Sequence, residues 1–159
     1  MKIVKRSTPP TGFSRMLWRL PILLYRRGLG GLLGRRIMLL THTGRKTGRP
    51  RQAVIEVVEH DGTGYLVASG FGPRADWYRN VMTEPYATIQ IGGRKLRVTA
   101  IPVPAEEGGE LMARYAVRHP AAARRLCKLM GFVVDGSAED YREVGRRVPF
   151  VQFLPCADS

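Results

Sequence analysis

The sequence predicts an α+β domain built on a small, mostly antiparallel β-barrel with flanking helices. Two hairpin turn signals, Asp61-Gly62 and Gly92-Gly93, each separate a pair of short apolar stretches with strand-like alternation. Five or six such stretches occur between Ile37 and Leu154, while the helix-like segments flank them and gather in the C-terminal third. A chain of 159 residues has enough apolar content for a real core, and it carries no internal repeat or low-complexity segment.

The elements follow in order. Met1 to Thr11 is polar, basic and proline-bearing, and reads as an arm. Phe13 to Arg27 (FSRMLWRLPILLYRR) reads as a helix that Pro21 kinks or splits. Arg15, Arg19 and Arg26 share one face of it at spacings of four and seven, opposite aliphatic and aromatic residues. Such a helix suits a membrane surface; the alternative is packing on the domain's own core. Gly28 to Gly34 is a flexible turn, so residues 1–34 form a basic amphipathic arm and helix, and residues 35–159 the barrel domain. Ile37 to Thr41 reads as a buried strand. In the strand from Arg51 to His60, Ala53, Ile55 and Val57 share one parity, and Gln52 and Glu56 the other. Gly64 to Ser69 is the return strand, followed by a glycine-bearing loop and a short helix around Asp76 to Met82. Ala87 to Ile91 and Arg94 to Pro102 form a second hairpin, whose return strand places Leu96, Val98 and Ala100 on one buried face. Glu106 to Arg118 and Ala121 to Met130 are helical and break at His119-Pro120. Ser137 caps a further short helix with acidic residues in its first turn. Val148 to Leu154 closes the chain as a strand.

The 26 Lys and Arg residues against 13 Asp and Glu give a net charge of +13, which predicts attraction to anions without choosing among nucleic acid, anionic lipid and charged small molecules. Cys127 and Cys156 form no metal or redox spacing, and the count suits a reducing cytosol. His42, His60 and His119 are scattered, without a ligand pattern. No signal peptide is visible, and no apolar run reaches the roughly 20 residues that span a bilayer.

Three pieces could carry chemistry. The loop Gly44-Arg45-Lys46-Thr47-Gly48-Arg49-Pro50-Arg51 joins two strands and combines glycines with cations, a setting for phosphate or carboxylate. It is not a P-loop, since the spacing and the Lys-Ser/Thr ending are wrong. Ser69-Gly70-Phe71-Gly72 sits at a strand end, where backbone amides can meet a ring edge. Trp77, Tyr78 and Asn80 cluster on the short helix that follows. No Ser-His-Asp set, paired carboxylates or nucleophilic cysteine stands out, so an enzyme of this sequence needs a bound cofactor to carry the chemistry.

Taken together, Thr43-Gly44-Arg45-Lys46-Thr47-Gly48, Pro50-Arg51, Ala68-Ser69-Gly70, Trp77-Tyr78 and Asn80 resemble the deazaflavin-dependent nitroreductase family, over roughly Gly34 to Ala100. The resemblance implies an FMN-binding split barrel-like fold and an oxidoreductase that uses coenzyme F420, with its deazaflavin ring, phosphodiester and oligoglutamate tail. It implies that Arg45, Lys46 and Arg51 meet the phosphate and tail carboxylates. Ser69, Gly70, Phe71 and Gly72 would approach the ring and its linker, and Trp77 and Asn80 would shape the ring pocket. The reduced coenzyme would then pass a hydride to a hydrophobic, electron-poor acceptor such as a quinone, an unsaturated lipid or a nitro compound. Related nitroreductases often carry a lysine where this chain has Gly70, and a tyrosine-rich helix where it has Tyr115-Ala116-Val117-Arg118-His119-Pro120. Tyr115 and His119 are therefore the candidate proton donors. The N-terminal helix resembles that of a membrane-associated branch of the family, which implies a cytoplasmic protein with peripheral contact on the inner face of the cell membrane. A homodimer is expected by analogy with such barrels.

Two other readings compete. One is a split-barrel protein that binds FMN or FAD; the cluster Arg45, Lys46, Arg49 and Arg51 supplies more cations than a mononucleotide needs. The other is a non-enzymatic basic module for nucleic acid or anionic lipid. Nucleic acid is not expected, because the aromatics concentrate in core segments instead of alternating with arginines on an exposed platform.

Overall fold

A computed structural model describes residues 2–3 and 36–157. The expected helix at residues 13–27 and the turn at residues 28–34 lie outside the described residues. The elements are β1 (Lys2–Ile3), β2 (Ile37–Thr43), β3 (Pro50–His60), β4 (Tyr65–Ala68), a 3-10 turn (Gly72–Arg74), α1 (Asp76–Thr83), β5 (Tyr86–Ile91), β6 (Arg94–Pro102), α2 (Ala105–Arg118), α3 (Pro120–Leu129), β7 (Phe132–Val133), α4 (Ala138–Arg147) and β8 (Phe150–Pro155). Six strands close a barrel in the order β2-β3-β4-β8-β6-β5. Among the described residues the chain forms two compact units: a barrel unit of residues 36–67, Asp76–Ile101 and residues 152–157, and a helical unit of residues 2–3, Ala68–Ala75 and Pro102–Val151.

The barrel unit follows the alternation in the sequence. In β6, Leu96, Val98 and Ala100 are buried while Lys95 and Arg97 are exposed, and β6 pairs antiparallel with β5 from Tyr86↔Thr99 to Ile91↔Arg94. The sequence-predicted strand at 37–41 runs two residues further, to Thr43, because β2 stays paired with β3 through Thr43↔Pro50. In β3, Ile55 and Val57 face inward as their parity requires. A register shift between Val57 and Glu59 then lets Val58 turn inward as well. Asp61 shapes the β3–β4 turn: its Oδ1 accepts from the amides of Thr63 at 3.0 Å and Gly64 at 2.8 Å and from the Thr63 hydroxyl at 2.9 Å. These bonds, the Gly64 amide foremost, lower the Asp61 pKa.

The helical unit rests on a close crossing of α2 and α4. A Cβ at Gly145 would meet the backbone of Gly108 and Gly109, and a Cβ at Gly108 would lie 2.6 Å from the Gly145 carbonyl oxygen. No side chain fits there, so the two helices touch backbone to backbone. The predicted cap is present: Ser137 Oγ accepts from the Asp140 amide at 3.2 Å. His119 separates α2 from α3, and Pro120 starts α3 where a missing N–H costs nothing. Two short strands depart from the expectation. Lys2–Ile3, read as part of an arm, pairs antiparallel with Phe132–Val133. Strands of two residues are too short to show a period.

Candidate functional site

The basic loop between β2 and β3 is a closed bend. The Gly44 amide donates to the Arg49 carbonyl at 2.8 Å, the Gly48 amide to the Gly44 carbonyl at 2.8 Å, and the Arg49 amide to Thr47 Oγ1 at 3.3 Å. Gly48 takes a φ of 71°, which a side chain would oppose. The bend exposes Lys46, Thr47, Arg49 and Arg51. It borders a cavity of about 200 Å³ lined by Gly44, Arg45, Lys46, Thr47, Arg51, Asp76 and Asn80.

Asn80 ties this bend to α1. Its side chain is buried, and its Oδ1 accepts from the Arg45 amide at 3.1 Å and from Arg45 Nη1 at 2.8 Å. Two donors require the oxygen on that side, so the amide nitrogen faces His42 Nδ1 at 3.0 Å. His42 Nδ1 therefore accepts, and the ring proton sits on Nε2. Burial, aided by the charge of Arg51 and opposed by that of Asp76, lowers the His42 pKa from 6.5 to about 4, so the ring is neutral at pH 7. Arg45 Nη2 also lies 3.5 Å from Asp76 Oδ1, which leaves its side chain 17% exposed. Arg45 is thus committed to Asn80 and Asp76. Among the described residues, Lys46, Arg49 and Arg51 make no ion pair, and they are the exposed cations of the bend.

Trp77 lies one helical turn before Asn80, on the same face of α1. It is half-buried, its ring edge-on to Tyr78 at 6.0 Å and tilted against Phe153 at 6.3 Å.

The Ser69–Gly72 turn belongs to the helical unit. Ser69 is fully buried; its amide donates to the Pro149 carbonyl at 2.8 Å and its Oγ to the Gly72 carbonyl at 2.5 Å. The Gly72 amide, expected to approach a ring, instead donates to the Ser69 carbonyl at 2.9 Å. Closing the tight turn consumes that donor. Gly70 and Phe71 are the half-buried residues at its tip. Tyr115 and His119 are neighbours on α2 and at its end, with ring centroids 5.5 Å apart. Tyr115 is 2% exposed, and His119 is half-buried.

Sequence reasoning passed over His42 and Asp76. Asp76 lies next to the singled-out Trp77, and its place at the start of α1, one turn before Asn80, was a usable signal. His42 had none, since its partner is 38 residues away in the chain. Among the described residues no cluster could hold a metal ion, and no helix is long and apolar enough to cross a membrane. Burial pushes the Cys127 thiol up to about 12, which suits a core residue and not a nucleophile.

A profile of the family described as F420H(2)-dependent quinone reductase matches residues 19–129. The F420H(2)-dependent quinone reductase of Mycobacterium tuberculosis (strain H37Rv) is 38% identical over 86 residues, which are 48% of this chain and 57% of that protein. The protein of the same description from strain CDC 1551 matches with the same figures. The chain thus spans little more than half the length of these relatives. Among solved structures, an F420-H2 dependent reductase, FDR-A, is 23% identical over 76% of this chain and 95% of its own, with a TM-score of 0.52. The haem storage protein HutZ of Vibrio cholerae is 15% identical over 84% of this chain and 90% of its own, with a TM-score of 0.53. At these identities the structures share the fold alone, the split β-barrel predicted from the sequence.

Proposed function

The chain belongs to the F420H(2)-dependent quinone reductase family, and on that premise we propose that it is an F420H2-dependent oxidoreductase acting on a hydrophobic, electron-poor acceptor, a quinone first among them. The observation that carries the reading is the cavity beside Asn80 with Lys46 and Arg51 on its wall. The residues present fit an anionic coenzyme: the exposed cations form no ion pairs among the described residues, and the bend that holds them is fixed by its own backbone bonds. Lys46 and Arg51 would hold the phosphate and tail carboxylates through charge-assisted hydrogen bonds, with Arg49 beside them. Arg45, tied to Asn80 and Asp76, shapes the bend. Trp77, on the barrel unit with Asn80, is the aromatic proposed for the ring. When bound, the coenzyme supplies hydride chemistry; the protein binds it, orients it and limits water. Tyr115 and His119, whose ring centroids lie 5.5 Å apart, are the proposed proton donors.

The test is a fluorescence titration of the full-length protein with oxidised F420, FMN and FAD. Saturation by F420 at micromolar concentration is expected; saturation by FMN and not by F420 would replace this reading with a flavin protein. The finer proposal of peripheral membrane contact through residues 1–34 is tested by flotation with anionic liposomes, with and without those residues, provided both forms are folded. Equal partitioning would remove it.

A further inference from the structure

We propose that His42 is a positioning residue: it orients the Asn80 side-chain amide, and through Asn80 it sets Arg45 and the bend that presents Lys46 to an anion. The anion's identity rests on the function proposed above; the positioning itself does not.

Three elements meet at this point, β2 through His42, the bend through Arg45 and α1 through Asn80. An asparagine amide has two orientations that differ only in which end carries the oxygen. With its NH2 toward Arg45, Asn80 would face two donors with two donors. His42, with its proton on Nε2, offers Nδ1 as the acceptor for the Asn80 NH2 and so supports the orientation that puts oxygen on Arg45. Arg45 then donates two bonds to one buried atom, Asn80 Oδ1, one from its backbone amide and one from its guanidinium. The backbone bond fixes the residue immediately before Lys46. The strand ladder adds a second link, because His42 is the direct partner of Arg51 across β2 and β3. One histidine therefore stands behind both residues proposed to meet the ligand, without lining the cavity itself. A cation in its place would face Arg51 and Arg45 and offer Asn80 no acceptor.

Two variants separate this role from simple packing. His42→Leu keeps apolar volume and removes the acceptor, while His42→Asn keeps an oxygen that can accept near the Nδ1 position. Hydrogen exchange of the Arg45 amide in the unliganded protein is the first readout. It is expected to lose about tenfold in protection in His42→Leu, as befits one lost hydrogen bond, and to recover in His42→Asn. Core amides such as Ile89 should change little in either. Affinity for oxidised F420 is the second readout, with a loss of about five- to tenfold in His42→Leu and recovery in His42→Asn. Unchanged Arg45 protection in His42→Leu overturns the proposal, as does an equal loss in both variants. Should the unsubstituted protein not bind F420, the functional reading fails, and the Arg45 exchange still decides the role of His42.

Discussion

On α4, Arg146 lies 3.2 Å from Glu143, 3.4 Å from Glu139 and 3.5 Å from Glu106, Arg147 lies 2.8 Å from Glu143, and Arg142 lies 3.0 Å from Glu110. In the β2–β3 bend, Arg45 alone has an acidic neighbour, Asp76, among the described residues. In the sequence α4 sets Arg142, Arg146 and Arg147 among Glu139, Asp140 and Glu143, whereas the bend from Gly44 to Arg51 holds cations and no acid. The first is a neutralised surface whose carboxylates fix three arginines in place; Glu143 is held below the ordinary carboxylate pKa, by Arg147 foremost. The second keeps its cations exposed on a rigid backbone. The net charge of +13 therefore does not tell the two stretches apart; the placement of their carboxylate neighbours does.

The comparison can be broken most sharply at the bend. Lys46→Ala with Arg51→Ala is expected to weaken F420 binding about a hundredfold or more, taking each charge-assisted bond at about 1.5–3 kcal/mol, with no change in the thermal transition. A small loss in titration would mean that these cations are as idle as a solvated face. On the helical side, Gly145→Ala drives a methyl into the backbone of Gly108 and Gly109, and should lower unfolding stability in denaturant titration by about 2–3 kcal/mol as overpacking. It would also part Arg142 and Arg146 from the α2 carboxylates Glu110 and Glu106.

A pH series sharpens the contrast between buried and exposed charge. The folded-state pKa of His42, about 4, lies below its ordinary 6.5. The neutral ring therefore contributes no penalty above pH 6.5, and stability falls as pH drops from 6.5 through 4, because the unfolded chain takes up the proton first. His42→Asn should flatten that part of the curve in melts between pH 7 and 4. Smallest of all, Arg146→Ala should lower the thermal transition only slightly, an effect fading with added salt, because the exposed Glu partners gain little from pairing. It should leave F420 affinity untouched, whereas a loss there would place α4 in the binding surface.

Much of the barrel is legible in the sequence because one-sided burial leaves a period of two, as at Leu96, Val98 and Ala100. The Ser137 cap and the His119-Pro120 break are legible because each is a local hydrogen-bonding requirement. The bulge at Val57 is not, since both of its residues are valine and the extra residue leaves no compositional mark. The pairing of Lys2–Ile3 with Phe132–Val133 is likewise hidden, because it is settled by tertiary placement. At the site, the cations of the bend announce themselves by type. Which of them is already occupied depends on Asp76 and Asn80, more than thirty positions downstream of Arg45. The inward-closed Ser69–Gly72 turn shows the same limit: glycines signal that amides can be exposed, and only the fold reveals where they point.

Asp76 gives the cavity a polarity. Its carboxylate, 82% exposed, comes from α1 and pairs with Arg45, while Lys46 and Arg51 of the same lining keep their charge without an ion pair among the described residues. A ligand anionic at both ends would be repelled by the Asp76 carboxylate at one of them. On the proposed function, an elongated molecule with one anionic and one uncharged end would be favoured in one heading, its anionic end toward Lys46 and Arg51 and away from Asp76.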